Sequence, residues 1–344
     1  MKVFSIILVI ALAASLFAGC GGSNKVTLRV YNWGDYIDES VIDEFEDKYG
    51  IDVIYDTFDT NESMYVKLKG GGSTYDVAFP SDYMIERLIK EDLVEKIDFN
   101  NIPNYKYIED RFKNLAYDPN NEYSVPYMWG TVGIVYNKNM VNEPVDSWRI
   151  MWDKKYEKKI FMLDSSRDSI GAALKMLGYS LNSRDKNELE EAKQALMEQK
   201  PLVLSYAGDE VKDSMIAEQG ALALVWSGDA VYMKRENPNL EYVIPKEGSN
   251  LWFDAMVIPK GSKNKKEAEM FINFMCEPEI AYRNTMYIGY STPHSEAKKM
   301  LPEDVLNDRT AYPTDEELEK CEVFVSLSDF VKEYDRIWTE IKAK

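Results

Sequence analysis

The alternation of strand-like and helix-like segments constrains the fold of this chain more than any other feature. A strand pattern at 26–31 precedes an amphipathic helix that ends at Gly50, and a second strand follows at 51–55. Asn61 is then predicted to cap a short helix, and a strand at 75–79 comes next. Repeated β-α-β units place crossover helices between parallel strands. The sequence therefore predicts an α/β protein with a largely parallel sheet, and its 344 residues fit two such domains.

The segment 123–136 is long and strand-like and lies near the middle of the chain. Pro126, Gly130 and Gly133 would disturb a central strand, so we interpret this segment as a crossover between two domains. A second β-α series follows it. The predicted strands of this series are 159–163, 202–204, 221–225 and 255–259, and the predicted helices are 169–177, 186–199, 211–218, 264–276 and 328–342.

The stretch 251–254 combines an aromatic and an acidic side chain in what is predicted to be an extended segment. Successive side chains of a strand point to opposite faces, so Trp252 and Asp254 are expected to share one face. An indole covers methylene groups and attracts cations, while a carboxylate pairs with a positive charge. The pair therefore suits a ligand with an apolar stem and a cationic head. A packed Trp beside a solvated Asp is the alternative for this stretch taken alone.

Aromatic and acidic residues recur where other predicted strands end. In open α/β sheets, ligands bind outside the carboxyl ends of the strands. The side chains that this rule brings together are Trp33, Ser81, Tyr83, Asp164, Asp168, Trp226, Asp229, Trp252 and Asp254, and a following loop adds Tyr290. Phosphate-binding glycines are much rarer at these positions, so the set favours a cationic ligand.

The charge balance points in the same direction. The chain has 41 Lys and Arg against 59 Asp and Glu, a net charge of −18, and no basic stripe. Such a chain repels phosphate backbones, so nucleic acid is not an expected partner. Acidity also serves solubility, which makes it weaker support for any particular ligand.

The first 20 residues have the organisation of a secretory signal, with Lys2, an apolar run at 3–16 and a small-residue exit. Residues 16–20, Leu-Phe-Ala-Gly-Cys, resemble a bacterial lipobox, in which Cys20 is lipidated and becomes the first mature residue. Phe17 departs from the usual residue of that motif. A plain signal peptide or an anchor helix is the alternative. Residues 21–25 are then a flexible tether, and the mature protein is expected on the outer face of the cytoplasmic membrane, held by its lipid.

Two further cysteines, Cys276 and Cys321, are able to pair or to stay separate. Cys276 ends an apolar helical pattern and is expected to be a small buried thiol.

Several stretches resemble the spermidine/putrescine-binding proteins of polyamine ABC importers. They are VYNW at 30–33, NESMYVKL at 61–68, VPYMWG at 125–130, IPKEG at 244–248 and IGYSTP at 288–293. The similarity covers essentially the whole mature chain and implies a periplasmic-binding-protein fold, in which crossing strands join two α/β lobes that close on a ligand cleft by a hinge. The first lobe is expected to hold 26–130 plus 255–303, and the second 131–254 plus 304–344.

The resemblance also implies roles for individual residues. Asp254 is expected to pair with an interior ammonium group, Asp168 to hold a terminal amine, and Ser81 to hydrogen-bond an amine. The aromatic box expected around the methylene chain is Trp33, Tyr83, Trp226, Trp252 and Tyr290, and Gly34 and Asp229 complete the expected ligand-binding set.

Three positions depart from the family pattern. Ser165 stands where spermidine-type members have an acid, and Cys321 falls where the family often has Gln. Asp229 stands where putrescine-type members have Asp and spermidine-type members a small hydroxyl residue. The carboxylates therefore resemble a blend of the two types. The expected function is binding of spermidine, putrescine or both outside the cytoplasm, for delivery to the permease subunits of an ABC importer.

Two other classes compete with this interpretation. An enzyme with a Ser-His or Cys-His pair would depend on His294, the one histidine of the chain, which is expected to be a surface loop residue. Paired carboxylates such as Asp164 and Asp168 would suit a hydrolase. A binding protein of the same fold for an amino acid or a metal chelate would instead need an Arg or an anion-binding nest in the cleft. No cofactor and no metal site is predicted, and 118–122 is expected to be a turn.

Overall fold

The computed structural model describes residues 25–71 and 75–343. The predicted signal sequence, Cys20 and the tether up to residue 24 lie outside the described residues. The strands are β1 (Thr27–Trp33), β2 (Asp52–Phe58), β3 (Val77–Ala78), β4 (Ser124–Asn137), β5 (Ile160–Leu163), β6 (Val203–Ala207), β7 (Leu222–Trp226), β8 (Leu240–Val243) and β9 (Leu251–Val257).

The helices account for most of the predicted helical segments. They are α1 (Glu39–Tyr49), α2 (Asn61–Lys69), α3 (Asp82–Lys90), α4 (Ser166–Leu177), α5 (Lys186–Gln199), α6 (Val211–Ile216), α7 (Ser227–Glu236), α8 (Lys265–Met275), α9 (Pro278–Ile288), α10 (Ser295–Met300), α11 (Glu303–Leu306), α12 (Asp315–Leu318) and α13 (Val331–Ala343). Short 3-10 helices occupy Phe99–Asn101, Pro103–Tyr107, Asp110–Phe112, Trp148–Trp152, Lys154–Tyr156, Lys200–Leu202 and Ser328–Phe330. Among the described residues, no helix has the length and apolar character that crossing a membrane requires.

Strand β4 joins two groups of strands. Residues 124–131 pair with β9, whereas residues 132–137 pair with β7 and β8. The first strand group is therefore β2, β1, β3, β9 and the start of β4, and the second is the end of β4 with β8, β7, β5 and β6. This is the arrangement expected of a crossing strand. Pro126 is accommodated because the pairing with β9 shifts at a bulge between Pro126 and Met128.

The expectation of a largely parallel sheet is wrong, because the sheet is mixed. Strand β1 runs parallel to β2 and β3, and β5 runs parallel to β6 and β7, as β-α-β units require. Every pair that includes β4 or β9 is antiparallel. These two strands carry the chain between the groups. They are not joined to their neighbours by crossover helices, so nothing requires them to run parallel to those neighbours.

Two helix termini show how local sequence sets the element bounds. Helix α1 ends at Gly50, as predicted, because Gly50 adopts the left-handed conformation with φ of 66° and donates its N–H to the Glu46 carbonyl. Helix α2 is capped by Thr60 and not by the predicted Asn61, since the Thr60 hydroxyl accepts from the Ser63 N–H at 3.1 Å. The Asn61 side chain is thereby free to reach β3 and α3.

The apolar side chains pack on both strand groups. In the first group, Phe45 of α1 meets Phe271 and Phe274 of α8, with ring centroids 5.1 and 5.5 Å apart. In the second group, α13 packs on α4 and α5, and the buried Tyr334 hydroxyl donates to the Ser183 carbonyl at 2.9 Å. Each group therefore has helices covering its sheet.

Cys276 and Cys321 are both free thiols. Cys276 is 2% exposed at the end of α8, and this burial raises the pKa of its thiol to about 12. The expected buried thiol is confirmed.

His294 is buried, so its expected place on a surface loop is wrong. The imidazole is 2% exposed, and its Nδ1 accepts the Ala297 N–H at 3.0 Å as the cap of α10. Its Nε2 donates to the Cys276 carbonyl at 3.0 Å. One ring nitrogen accepts a hydrogen bond and the other donates one, which is the pattern of a neutral imidazole. Both partners are backbone groups, and they hold the ring in the interior.

A substitution pair tests the contact between the β8–β9 loop and the C-terminal region. Gly248 and Gly261 both have left-handed backbone, with φ of 88° and 85°. A Cβ on Gly248 would lie 2.0 Å from the Lys320 carbonyl oxygen, whereas a Cβ on Gly261 meets nothing within 4 Å. We expect Gly261→Ala to lower the free energy of unfolding by about 1 kcal/mol, and Gly248→Ala by at least about 1 kcal/mol more. Urea unfolding measures both. Equal losses would show that the Lys320 segment moves away freely.

A second prediction concerns the pH dependence of stability. Burial lowers the pKa of His294, partly offset by the Cys276 carbonyl, whereas an unfolded histidine titrates near about 6.5. The folded state therefore binds fewer protons at this group, and the stability it contributes above pH 6.5 is lost as the pH falls toward the folded pKa. We expect the stability advantage of the wild type over His294→Asn, which keeps a capping side chain, to shrink between about pH 7.5 and 5. An advantage that stays constant across this range would contradict the assignment.

Candidate functional site

Trp252 and Asp254 lie on one face of β9, as the strand alternation predicted. Both are buried, at 7% and 6% exposure. Gly130 of β4 is paired with Trp252, and a Cβ on Gly130 would lie 2.5 Å from the indole Cζ2 and 2.6 Å from the Ser227 hydroxyl. The glycine that was expected to disturb this strand therefore makes room for the indole.

Asp254 is a buried carboxylate with one oxygen unpaired by protein. Its Oδ2 accepts the Tyr36 hydroxyl at 2.7 Å, while its Oδ1 has no hydrogen bond within the part of the chain that the structure describes. Burial raises the pKa of Asp254 to about 6, and this rise is opposed by the Ser81 hydroxyl, which lies nearby without forming a hydrogen bond to the carboxylate, and by the Tyr36 hydroxyl. A buried oxygen of this kind is costly unless a donor or a cation pairs with it.

An aromatic wall stands next to this carboxylate. The Tyr290 ring lies perpendicular to the Trp252 ring, with centroids 4.8 Å apart, and 5.6 Å from the Tyr36 ring. Gly289 ends α9 with a φ of 86° and turns the chain toward Tyr290. Gly228 of α7 gives the tyrosine its space, because a Cβ there would lie 2.3 Å from the ring. The rings of the wall are therefore carried by the first strand group, and Gly228 of the second group leaves the space for Tyr290.

Ser81 and Tyr83 flank the start of α3. Ser81 forms a β-bridge with Asp254, and its hydroxyl accepts the Asn61 side-chain N–H at 3.1 Å. The Tyr83 hydroxyl donates to Glu62 at 3.0 Å. Between them, the fully buried Asp82 accepts the Phe253 N–H at 3.0 Å, which ties α3 to β9 and fixes the register of the strand that carries Asp254.

Asp168 lies in the first turn of α4 and is 8% exposed. Its Oδ2 accepts the Ser165 hydroxyl at 2.7 Å, and its Oδ1 accepts the Asn250 amide at 3.4 Å. Burial raises the pKa of Asp168, opposed by these two donors and by Arg167. Ser165 caps α4 and orients Asp168.

Asp229 lies in the first turn of α7 and is also 8% exposed. Its Oδ2 has no hydrogen-bond partner in residues 25–71 and 75–343, and its Oδ1 lies 3.9 Å from the Lys212 ammonium. Burial raises the pKa of Asp229 to about 7, although Lys212 acts in the opposite direction. Trp226 is half-buried where β7 leads into this helix.

Trp33 and Gly34 follow β1. The Trp33 indole N–H donates to the Phe79 carbonyl at 2.8 Å, and its ring packs against Phe58 at 4.5 Å. Gly34 is exposed and faces the second strand group, because a Cβ on it would lie 3.5 Å from Asp209 Oδ2. Cys321 is half-buried, and its thiol donates to the Glu317 carbonyl at 3.7 Å.

Side chains from the two strand groups meet around these residues. Lys212 reaches Asp35 at 3.3 Å, and the Arg167 guanidinium lies 5.1 Å from the Tyr83 ring centroid. The Ser326 N–H donates to Glu86 at 2.7 Å. The structure thus holds the two groups in contact, with Asp254 buried between the elements that join them.

Sequence reasoning missed three residues that touch the acids, and a fourth, Arg167, that lies beside the Tyr83 ring. Tyr36 and Asn250 stand beside stretches that it did consider, so nearness in sequence was an available signal. No comparable signal exists in the sequence for Lys212 or Arg167. Lys212 lies on a helix with no aromatic residue at a strand end, and Arg167 is the neighbour of Asp168, to which the ligand role was assigned. Among the described residues, no group of three or more His, Cys, Asp or Glu has the geometry to hold a metal ion. The site offers carboxylates, which pair with ammonium groups, and aromatic faces, which cover methylene groups.

Comparison with known proteins places this architecture in a family. The family model for bacterial extracellular solute-binding proteins matches residues 40–314. The spermidine/putrescine-binding periplasmic protein of Salmonella typhimurium is 34% identical over 335 residues, covering 97% of this chain and 96% of that protein.

Solved structures agree. A putative spermidine/putrescine ABC transporter protein from Listeria monocytogenes is 45% identical with a TM-score of 0.90, covering 92% of this chain and 98% of the other. The Tp0655 lipoprotein of Treponema pallidum is 30% identical with a TM-score of 0.84, covering 92% and 100%. The predicted two-lobed periplasmic-binding-protein fold and the predicted family are therefore confirmed, and the chain belongs to the bacterial extracellular solute-binding proteins.

Proposed function

We propose that this protein binds a polyamine, spermidine or putrescine, outside the cytoplasm and delivers it to the permease of an ABC importer. The observation that carries the proposal is the buried Asp254, whose unpaired oxygen lies beside the Trp252 and Tyr290 rings. The relatives named for spermidine and putrescine support the same ligand class.

The chemistry of alkyl amines fits this site. Their pKa values lie near that of Lys, about 10.4, so they are polycations at neutral pH. Each buried ammonium group needs a carboxylate partner, or its desolvation opposes binding. Asp168, Asp229 and Asp254 are buried acids with differing partners, and the aromatic rings cover methylenes between the charges. Three acids suit a triamine, and two of them suffice for a diamine.

The proposed contacts extend over both strand groups. We assign ligand contact to Trp33, Gly34, Ser81, Tyr83, Asp168, Trp226, Asp229, Trp252, Asp254 and Tyr290. The proposed lobes are 26–130 plus 255–303 and 131–254 plus 304–344, with the pairing change in β4 at residues 131–132 as support. Hinge motion about the crossing strands would admit the ligand and then bury it.

Anchoring through lipid is part of the proposal. Cys20 of the lipobox-like stretch would carry the lipid and hold the protein at the outer face of the cytoplasmic membrane. The structural relative from Treponema pallidum is itself named a lipoprotein, which supports this location. Mass spectrometry of the membrane-extracted protein tests it, since a mature chain that begins at any residue other than Cys20 would exclude the anchor.

We propose no catalytic role. His294, on which a Ser-His or Cys-His pair would depend, uses both ring nitrogens to hold backbone groups of α8 and α10. Asp164 pairs with Lys342 at 2.8 Å, so it is not a partner acid for Asp168. A carboxylate-dependent hydrolase therefore has little support, and turnover assays with glycosides would test it.

Calorimetric titration of the mature domain with putrescine, cadaverine, spermidine and spermine tests the function directly. We expect one-to-one binding of at least one of them. Asp254→Asn removes the charge that pairs with an ammonium, and Trp252→Ala removes the aromatic face, so each should weaken binding at least about tenfold, or 1.4 kcal/mol. Asp164→Asn is the matched control, because this strand-end acid is exposed and paired with Lys342. Unchanged affinity in both site variants would remove the proposed site.

Proton release provides a separate test. Burial raises the pKa values of Asp229 and Asp254 to about 7 and about 6 in the ligand-free protein. A bound ammonium favours the ionised carboxylates, so binding between pH 6 and 7 should release protons, and affinity should rise with pH across this range. Titration in buffers of different ionisation enthalpy counts these protons. Asp229→Asn should lower the count at pH 7, and a count of zero in the wild type would contradict the assigned roles.

A further inference from the structure

Lys212 brings a protein cation into the acidic site. Its side chain is 16% exposed, and its ammonium lies 3.3 Å from Asp35 Oδ2 and 3.9 Å from Asp229 Oδ1. Asp35 follows β1 in the first strand group, whereas Asp229 and Lys212 belong to the second. A single ammonium therefore touches a site carboxylate and crosses between the two strand groups.

Two carboxylates, Asp35 and Asp229, lie within 4 Å of this ammonium, and Asp209 acts on it at longer range through its charge. Burial raises the pKa of the Asp209 carboxyl, while Lys212 opposes the rise. Burial alone would lower the pKa of Lys212, but Asp229, Asp209 and Asp35 outweigh it and raise that pKa, so the lysine stays charged at neutral pH. With all groups ionised, the cluster keeps an excess of negative charge.

The geometry at Asp229 leaves one side of the carboxylate for another cation. Lys212 lies on the Oδ1 side, and the buried Oδ2 forms no hydrogen bond with any residue that the structure describes. A ligand ammonium that paired with Oδ2 would already lie near the lysine. A further ligand ammonium directed toward Asp35 or Asp209 would meet the Lys212 charge directly, and like charges in a buried site repel strongly.

We propose that Lys212 determines ligand selectivity by occupying one of the ammonium positions at the Asp229 cluster, and so limits how many ligand charges this part of the site accepts. This inference rests on the proposed polyamine function. Removing the lysine charge leaves Asp35 and Asp229 with no ion-pair partner among the described residues, and Asp209 loses its nearby positive charge. A ligand with an additional ammonium group then supplies the missing charge.

The test compares Lys212→Met with the wild type by calorimetric titration with putrescine, spermidine and spermine at one salt concentration. We expect the ratio of spermidine to putrescine affinity, or of spermine to spermidine affinity, to rise at least tenfold in the variant. Lys212→Arg keeps the charge and should leave both ratios within threefold of the wild type. Lys246→Met is a matched control, because this lysine forms an exposed pair with Asp146.

A purely structural role for the ion pair between the strand groups gives a different result. Asp35→Asn removes that pair but leaves Lys212 beside Asp229, so it should change the affinity of all three amines by one common factor. If Lys212→Met also changes all affinities by a common factor, the lysine is only a structural contact and the inference is overturned. Thermal unfolding confirms that each variant is folded, and Lys212→Gln replaces Lys212→Met if the latter is not.

Failure of the proposed function is recognised separately. If the folded wild type binds none of the three amines, the polyamine function falls and this inference falls with it. If the wild type binds and the ratios in Lys212→Met and Lys212→Gln stay within threefold, only the role of Lys212 is overturned.

Discussion

The burial of Asp254 is the constraint on which the rest of the site depends. A carboxylate removed from water loses hydration that neutral donors replace only in part. Tyr36 pairs with one of its oxygens, the other has no hydrogen-bond partner among the described residues, and burial raises the pKa of Asp254 to about 6. A core built for stability alone would pair or remove such a group. This buried charge suits a cationic ligand, which is the basis of the proposed function.

The aromatic rings beside Asp254 are placed by space left on neighbouring elements. Gly130 on β4 admits the Trp252 indole, and Gly228 on α7 admits the Tyr290 ring. These two glycines stand where β4 passes from one strand group to the other and where the second group begins its helix. Gly228 of the second group lies against the Tyr290 ring, so a rotation of one group against the other would change the space around that ring. Under the proposed function, this contact couples the site to closure of the two lobes around a ligand.

Much of the fold followed from local sequence, and what failed depended on distant contacts. The helix at 186–199 was predicted with its observed bounds, and the shared face of Trp252 and Asp254 followed from strand alternation. Strand direction did not follow, because a buried strand has the same apolar pattern in parallel and antiparallel pairs. His294 is buried through contacts with α8 and α10, which the polar sequence around it does not predict. Lys212 joins the site only because α6 packs against α7 and lies beside the turn that follows β1.

The three acids of the site are treated differently by their surroundings, and this difference bears on selectivity. Asp168 is held by neutral donors, the Ser165 hydroxyl and the Asn250 amide, which orient the carboxylate without neutralising it. Asp229 already faces the Lys212 ammonium, so part of its charge is compensated before a ligand arrives. An incoming ammonium group gains more from pairing with Asp168 or Asp254 than with Asp229. Under the proposed function, the first two acids would fix a ligand in place, and the charge beside Asp229 would decide whether a longer, more highly charged amine is accepted.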